Sequence, residues 1–108
     1  MREIKAIIRS DRLSDVLRAL HAMPDLPGVI ISTVRGFGRR YQLGSEPTFD
    51  EVEMTKLEIV VPAAVASDVV RAVKLAAHTG QPGDGKIFVI PVERAVKIRS
   101  DERDSSAL

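Results

Sequence analysis

The feature that most constrains the fold is an internal repeat. Residues 56–61 repeat the apolar pattern of residues 3–8, and residues 67–73 repeat that of residues 14–20, both at an offset of 53 positions. The first segment of each pair alternates like a strand, and the second has apolar residues at helical spacing. Two β-α-β units in tandem predict a single α+β domain over residues 1–108. The expected fold is a ferredoxin-like βαββαβ sandwich, with an antiparallel four-stranded sheet and both helices on one face.

The predicted strands are apolar on both faces. Alternation divides their large residues into two sets, Ile7, Val60 and Val89 on one face and Ile8, Ile59 and Phe88 on the other. The two helices cover one face only, so the chain leaves the other face without a cover. We therefore expect a homo-oligomer in which the open faces meet, with binding sites between subunits.

A glycine-rich segment precedes the last predicted strand. Residues 80–86 hold three glycines and a lysine, so the backbone can adopt left-handed conformations, point N–H groups inward and place an ammonium beside them. This pattern indicates a phosphate site, and Lys97 and Arg99 add two cations on one face of a later extended segment. The spacing resembles a P-loop, but Ile87 cannot offer the hydroxyl that binds magnesium, which disfavours a P-loop NTPase. A plain glycine-rich connection is the alternative.

The periodic pattern stops between residue 41 and about residue 52, where the chain is polar and rich in helix and strand breakers. We expect a long, mobile loop here. Loops of this length in compact domains are usually functional or disordered. The segment is therefore either an element that contacts a partner or responds to a ligand, or a slack solvated connection.

Charge and composition limit the partners. The chain has 16 Lys+Arg and 15 Asp+Glu, without the basic excess that binds nucleic acid or an anionic membrane. It has no cysteine, which excludes disulfides and thiolate sites. Met1 leads into a charged strand without a signal-peptide apolar segment, and no apolar run is long enough to cross a bilayer. We expect a cytoplasmic protein that binds small ligands or other proteins.

Three motifs resemble the PII signal-transduction family, the nitrogen regulatory protein P-II and its PII-like relatives. They are Arg-Gly-Phe-Gly-Arg at 35–39, Glu-Ile-Val-Val-Pro at 58–62, and residues 79–99 with Gly-Asp-Gly-Lys-Ile-Phe-Val at 83–89. The resemblance covers nearly the whole chain. It implies a homotrimer that binds adenine nucleotides (ADP, AMP or ATP) between subunits and signals through a T-loop, here residues 37–54. It also implies a sensor that controls a target protein, such as a membrane transporter or an enzyme, and that has no catalytic residues or cofactor.

The resemblance also assigns the nucleotide site position by position. The residues that it implies are Ile7, Gly36, Phe37, Gly38, Arg39, Glu58, Val60, Gly83, Asp84, Gly85, Lys86, Lys97 and Arg99. The glycine-rich segment, Arg39 and the two C-terminal cations would surround the phosphates, which require such converging charges and N–H donors. Ile7, Glu58 and Val60 would line the base and ribose end. Ile30 stands where the family has a threonine that contacts the base.

Two departures point away from 2-oxoglutarate sensing. The family's 2-oxoglutarate sensors use a glutamine to hold magnesium and a lysine to bind the dicarboxylate, and the matching positions here are Arg40 and Met54. A guanidinium cannot ligate a metal, and a thioether cannot pair with a carboxylate. The positive charge of Arg39 and Arg40 would suit a small anion such as bicarbonate. The alternative is that Arg40 is an ordinary solvated loop charge.

Other functions stay open at this stage. A 2-oxoglutarate-sensing nitrogen regulator, a regulator of a metal efflux system and a nucleotide hydrolase are the alternatives, and the last lacks an evident base, nucleophile and metal-ligating pair. The predicted T-loop is shorter than in the family, and Tyr41 stands too early to match its uridylylated tyrosine. His21 has no second ligand at metal spacing, and no metal site is predicted. His78, just before the glycine-rich segment, is a candidate nucleotide contact only. Residues 100–108 are expected to form a flexible tail.

Overall fold

The structure is a computed structural model that describes the backbone of residues 1–40 and 48–108 and the side chains of residues 1–37 and 51–108. Its main elements are, in order, β1 (Arg2–Arg9), α1 (Leu13–His21), β2 (Ile30–Arg40), β3 (Thr48–Val61), α2 (Ala66–Ala77) and β4 (Gly85–Pro91). Short 3-10 turns span Ser10–Arg12, Ala63–Val65 and Asp104–Ala107. The predicted βαββαβ order is confirmed.

The strands form one antiparallel sheet in the order β2-β3-β1-β4, so the first strand of each repeat lies at the centre. The helices cover one face of this sheet. The buried aliphatic residues between the helices and the sheet include Ile4, Ala6, Ile8, Val16, Leu20, Leu57, Ile59, Val61, Val69 and Val73. Removing these side chains from water is the main force that holds the layers together. This is the ferredoxin-like sandwich that the repeat predicted.

The helices are also joined by a polar contact. The Nε and Nη2 groups of Arg12 donate hydrogen bonds to the carbonyl oxygen of Ala76, at 3.0 and 2.7 Å. The last carbonyls of a helix have no partner within the helix, so Arg12 connects the start of α1 to the end of α2. Within residues 1–40 and 48–108, no helix combines the length and the apolar character needed to cross a membrane.

The face of the sheet opposite the helices, the open face, differs from the prediction. Lys5 pairs with Phe88 and Ile4 pairs with Val89. Because paired residues lie on the same face, Phe88 is on the open face and Val89 on the helix face, which is the reverse of the predicted arrangement. The prediction was wrong because the continuous apolar run 87–90 does not reveal its own register.

The open face is also less apolar than predicted. Glu3 and Lys5 of β1 and Lys56 and Glu58 of β3 lie on it, at the centre of the sheet. We call these four residues the open-face charge cluster. Exposed apolar side chains lie on the flanking strands of the same face, namely Ile30 on β2 and Phe88 on β4.

β2 and β3 continue beyond the other strands as a long hairpin. The prediction of a loop from residue 41 to about residue 52 was wrong for residues 48–52, which pair with residues 36–40. Backbone pairing maintains these strands although their side chains show no periodic pattern. Residues 41–47, which include Tyr41 and the centre of the predicted T-loop, lie outside the described residues.

The C-terminal segment folds back on itself. The Lys97 N–H donates to the Glu102 carbonyl at 3.0 Å, and the Asp104 N–H donates to the Ala95 carbonyl at 2.7 Å. Val96 and Arg103 form an isolated bridge between the same two stretches. Part of the predicted tail, residues 100–108, is therefore hydrogen-bonded in this structure, and its flexibility stays a prediction.

Candidate functional site

The glycine-rich segment forms a loop between α2 and β4, residues 78–84, which we call the glycine loop. Gly80, Gly83 and Gly85, the first residue of β4, have φ angles of 83°, 91° and 98°. Residues with a Cβ rarely adopt such angles. A Cβ at Gly85 would also lie 1.7 Å from the carbonyl oxygen of Ile7 in the neighbouring strand. The expected left-handed glycines are confirmed, and Gly85 in addition allows β4 to approach β1.

The Asp84 carboxylate organises the glycine loop from within. It accepts hydrogen bonds from the backbone N–H groups of Thr79 and Gly80, both at 2.9 Å, and from the Thr79 hydroxyl. Together with a bond from Arg9, these contacts hold the pKa of the Asp84 carboxyl well below its usual range, so the group stays ionised. The resemblance assigns Asp84 to the phosphates, and the structure gives it a scaffold role that the sequence did not predict.

Arg9 is a site residue that the sequence analysis missed. Its Nε donates to Asp84 Oδ1 at 2.9 Å, and its Nη2 donates to the Pro82 carbonyl oxygen at 2.5 Å. A Cβ at Gly83 would lie 3.5 Å from the same Nη2 atom. The contact joins residues 75 positions apart, and only the antiparallel pairing of β1 with β4 would have indicated it.

Lys86 lies directly beyond the glycine loop. It pairs with Ile7 on the open face, and both residues line a cleft of about 350 Å³ between β1, α2 and the glycine loop. The lining residues are Ile7, Ile8, Val70, Lys74, Ala77, His78, Asp84, Gly85, Lys86 and Ile87. The cleft therefore joins an apolar floor to a basic rim, and it contains four of the residues that the resemblance assigns to a nucleotide.

A larger groove of about 780 Å³ lies elsewhere, between α1 and the segment that leads to β2. Its walls are mostly apolar, and its ionisable lining residues are Arg18, His21 and Asp25. None of the residues that the sequence assigns to a ligand lines it. The 350 Å³ cleft is the better candidate site, because its lining includes Lys86 and the end of the glycine-rich segment.

Glu58 and Val60, the residues predicted for the base end, lie on the open face of β3. Glu58 is opposite Lys5 in β1 and Ile30 in β2, and its carboxylate lies 3.4 Å from Lys56 Nζ. A hydrogen bond between the Glu3 and Glu58 carboxyl groups raises the pKa of Glu3 and lowers that of Glu58. Glu58 therefore has the Lys56 ammonium beside it on β3 and the exposed aliphatic side chain of Ile30 opposite it on β2.

The predicted contacts from Gly36 to Arg40 lie in β2, where the hairpin leaves the sheet. Gly36 pairs with Val52, and a Cβ at Gly36 would lie 3.6 Å from the Cγ of Met54. Met54 is 9% exposed, so its side chain packs at this hairpin root. Phe37 is exposed at 72%. The backbones of Gly38, Arg39 and Arg40 continue β2, and their side chains lie outside the described ones.

The segment that carries the two C-terminal cations, Lys97 and Arg99, begins at the end of β4 opposite the glycine loop. β4 runs from Gly85 to Pro91, a distance of about 20 Å for an extended strand, and the Val92 N–H then donates to the Met1 carbonyl oxygen at 3.1 Å. Within this segment Lys97 Nζ lies 3.5 Å from a Glu102 carboxylate oxygen. β4 therefore separates the strand end that carries Lys86 from the point where the segment with Lys97 and Arg99 begins.

Comparison with known proteins identifies the family. The model of the family "Nitrogen regulatory protein P-II" matches residues 1–102. The chain belongs to the P-II family. It is 37% identical to the nitrogen regulatory protein P-II of Azospirillum brasilense and 42% identical to that of a Synechocystis strain, with full coverage of each chain. A crystal structure of Arabidopsis thaliana PII bound to citrate has a TM-score of 0.83 and 36% identity, over 99% of this chain and 91% of the other.

Membership of the P-II family confirms the resemblance that the motifs indicated. P-II proteins are regulatory signal transducers without enzymatic activity, so the prediction of a regulator is confirmed at this level. In the parts of this P-II protein that the structure describes, no group of three or more histidine, cysteine or acidic residues could hold a metal ion.

One protomer of this P-II protein brings together only part of the predicted site. Ile7, Gly83, Asp84, Gly85 and Lys86 meet at the end of β1, next to the strands that form the hairpin root. Glu58 and Val60 lie further along the same open face. The segment that carries the C-terminal cations begins at the opposite end of β4, and the charged side chains predicted at the hairpin lie outside the described ones.

Proposed function

We propose that this P-II protein is a cytoplasmic homotrimer that binds ADP, AMP or ATP in the clefts between its subunits. Nucleotide binding would change the β2–β3 hairpin, including the T-loop, and so control a target protein such as a membrane transporter or an enzyme. The observation that carries this proposal is the glycine loop with Lys86 beside it, above the apolar floor of the 350 Å³ cleft. Nucleotides require cations and N–H donors at the phosphates and apolar contact at the base.

The position of the C-terminal segment supports a site between subunits. Lys97 and Arg99 follow the end of β4 that lies opposite the glycine loop. A neighbouring subunit could supply these cations to the phosphates held by Lys86. The exposed apolar residues of the open face, Ile30 at 66% and Phe88 at 47%, also favour a cover by other copies of the chain.

A small anion is the second effector in this proposal, with bicarbonate near Arg39 and Arg40 as the first candidate. The burial of Met54 against Gly36 supports this choice, because a packed thioether replaces the lysine that would bind a dicarboxylate. 2-Oxoglutarate is the second candidate, since the Arabidopsis relative was solved bound to a carboxylate, citrate.

Calorimetric titration with ATP, ADP and AMP, each repeated with bicarbonate and with 2-oxoglutarate, tests the proposal. We expect Lys86→Ala and Arg99→Ala to weaken ATP binding by about 10- to 100-fold, the range for a lost hydrogen bond to a charged group. Arg71→Ala, which removes an equal charge from the exposed side of α2, is the control and should bind ATP like the wild type. Unchanged affinity in both site variants would reject the assigned pocket, and a monomeric mass in solution would reject the shared site.

A further inference from the structure

Arg9 occupies the junction between the glycine loop and the hairpin. It is the last residue of β1, and its backbone pairs with Met54 of β3. Met54 in turn pairs with Val34 of β2, two positions before Gly36. Beyond this point β2 and β3 continue as the hairpin, so Arg9 marks the hairpin root on the open face.

The Arg9 side chain holds the glycine loop at two points. One guanidinium nitrogen donates to the Asp84 carboxylate at 2.9 Å, and another donates to the Pro82 carbonyl. Asp84 Oδ2 accepts the N–H groups of Thr79 and Gly80. Both ionised side chains are about three-quarters shielded from solvent, with exposures of 30% and 24%. A lysine has the same charge but lacks the planar fork that reaches two acceptors at once.

We propose that Arg9 is a positioning residue of the ligand site, which fixes the glycine loop to the hairpin root through Asp84 and Pro82. The proposal rests on the proposed nucleotide function and names the group that preorganises the phosphate end of that site. A loop with left-handed glycines has many conformations to lose when it binds a ligand, and fixing it beforehand reduces that cost.

Arg9 has a second effect, which is electrostatic. Asp84 is ionised and stands two positions before Lys86, where it would repel a phosphate. The Arg9 guanidinium at 2.9 Å offsets this negative charge. Since both effects act on the phosphate end, the loss of Arg9 should weaken binding more as the number of phosphates increases.

The test compares ATP and AMP binding to wild type, Arg9→Gln and Arg9→Lys by calorimetry. We expect Arg9→Gln to weaken ATP binding by about tenfold, the range for hydrogen bonds to charged groups, and AMP binding by a smaller factor. Arg9→Lys should lie in between, because it restores the charge without the fork. Arg18→Gln is the matched control, since this arginine is 78% exposed on α1, and it should bind both nucleotides like the wild type. Equal losses for ATP and AMP, or no loss, would overturn the proposal.

Amide hydrogen exchange of the ligand-free proteins provides a readout that does not depend on nucleotide. The amides of Thr79 and Gly80 should exchange faster in Arg9→Gln than in wild type, while core amides such as that of Ile59 keep their rates. Unchanged exchange in the glycine loop would contradict the positioning role. If the wild type bound neither nucleotide, the proposed function would fail, and faster loop exchange in Arg9→Gln would still support the hold of Arg9 on the loop.

Discussion

Replacing Gly85 by alanine should destabilise the sheet at the start of β4. The new Cβ would lie 1.7 Å from the carbonyl oxygen and 2.8 Å from the carbonyl carbon of Ile7, and the φ angle of 98° is unfavourable for any side chain. Both atoms belong to the backbone of β1, so no side-chain rotation relieves the clash. The first residues of β4 must move away from β1 by more than an ångström.

The expected cost follows from two terms. A non-glycine residue in a strained φ region costs about 1–3 kcal/mol, and each strand hydrogen bond lost by the displacement costs about 0.5–1.5 kcal/mol. A total of about 3 kcal/mol is a large part of a domain stability of about 5–15 kcal/mol. It corresponds to a fall in Tm of about 12–24 °C for a domain near 100 residues.

Urea unfolding followed by circular dichroism, at equal protein concentration, measures this change. Gly28→Ala is the matched control, because nothing lies within 4 Å of its Cβ position and its φ angle is not left-handed. That variant should stay within about 0.5 kcal/mol of wild type, or gain up to about 1 kcal/mol from a less flexible unfolded chain. A Gly85→Ala variant as stable as Gly28→Ala, with an unchanged m-value, would refute the argument.

Two further predictions concern polar contacts. Arg12→Ala should lower the free energy of unfolding by about 1–2 kcal/mol, because the Ala76 carbonyl loses both its guanidinium donors. Arg18→Ala, at an exposed arginine of α1, is the control. Equal urea midpoints for the two variants would contradict the role of Arg12 in connecting the helices. In the folded state the pKa of the Asp84 carboxyl is lowered, mainly by the Thr79 hydrogen bonds. The ionised carboxylate therefore stabilises the fold fully at a pH above the ordinary pKa of 3.8, and this stabilisation decreases as the pH falls below that value. The stability difference between wild type and Asp84→Asn should therefore shrink on acidification below that value, and a difference that grew there would contradict this sign.

Much of the fold could be predicted because the sequence repeats it. The periodic segments around residues 3–8 and 56–61 became the two central strands, and the two helices start at the same offset as the repeat. The faces of β4 could not be predicted in this way. Phe88 and Val89 both stand in an apolar run, and only the pairing of β4 with β1 decides which of them faces the helices.

The glycine loop was recognisable as a candidate site because glycine spacing is a local signal. Its scaffold was not recognisable, since Arg9 and Asp84 are far apart in the chain and meet only through the sheet. The strand at residues 48–52 was missed for a related reason, because its stability comes from backbone pairing with β2 rather than from apolar periodicity. Local sequence patterns thus predicted the helices, most of the strands and the glycine loop. The Arg9–Asp84 contact and the strand at residues 48–52 depend on pairing between distant segments, which such patterns do not show.

The open-face charge cluster has a consequence for how subunits would recognise each other in the proposed homotrimer. Glu3, Lys5, Lys56 and Glu58 carry two acidic and two basic groups, so two such faces can approach without a net charge to overcome. Any misaligned approach would bury one of these groups against a like charge or an aliphatic surface, which is costly. In the proposed homotrimer the cluster would therefore contribute to the selectivity of subunit contacts more than to their strength, because it would favour one closed arrangement over open-ended stacking of sheets.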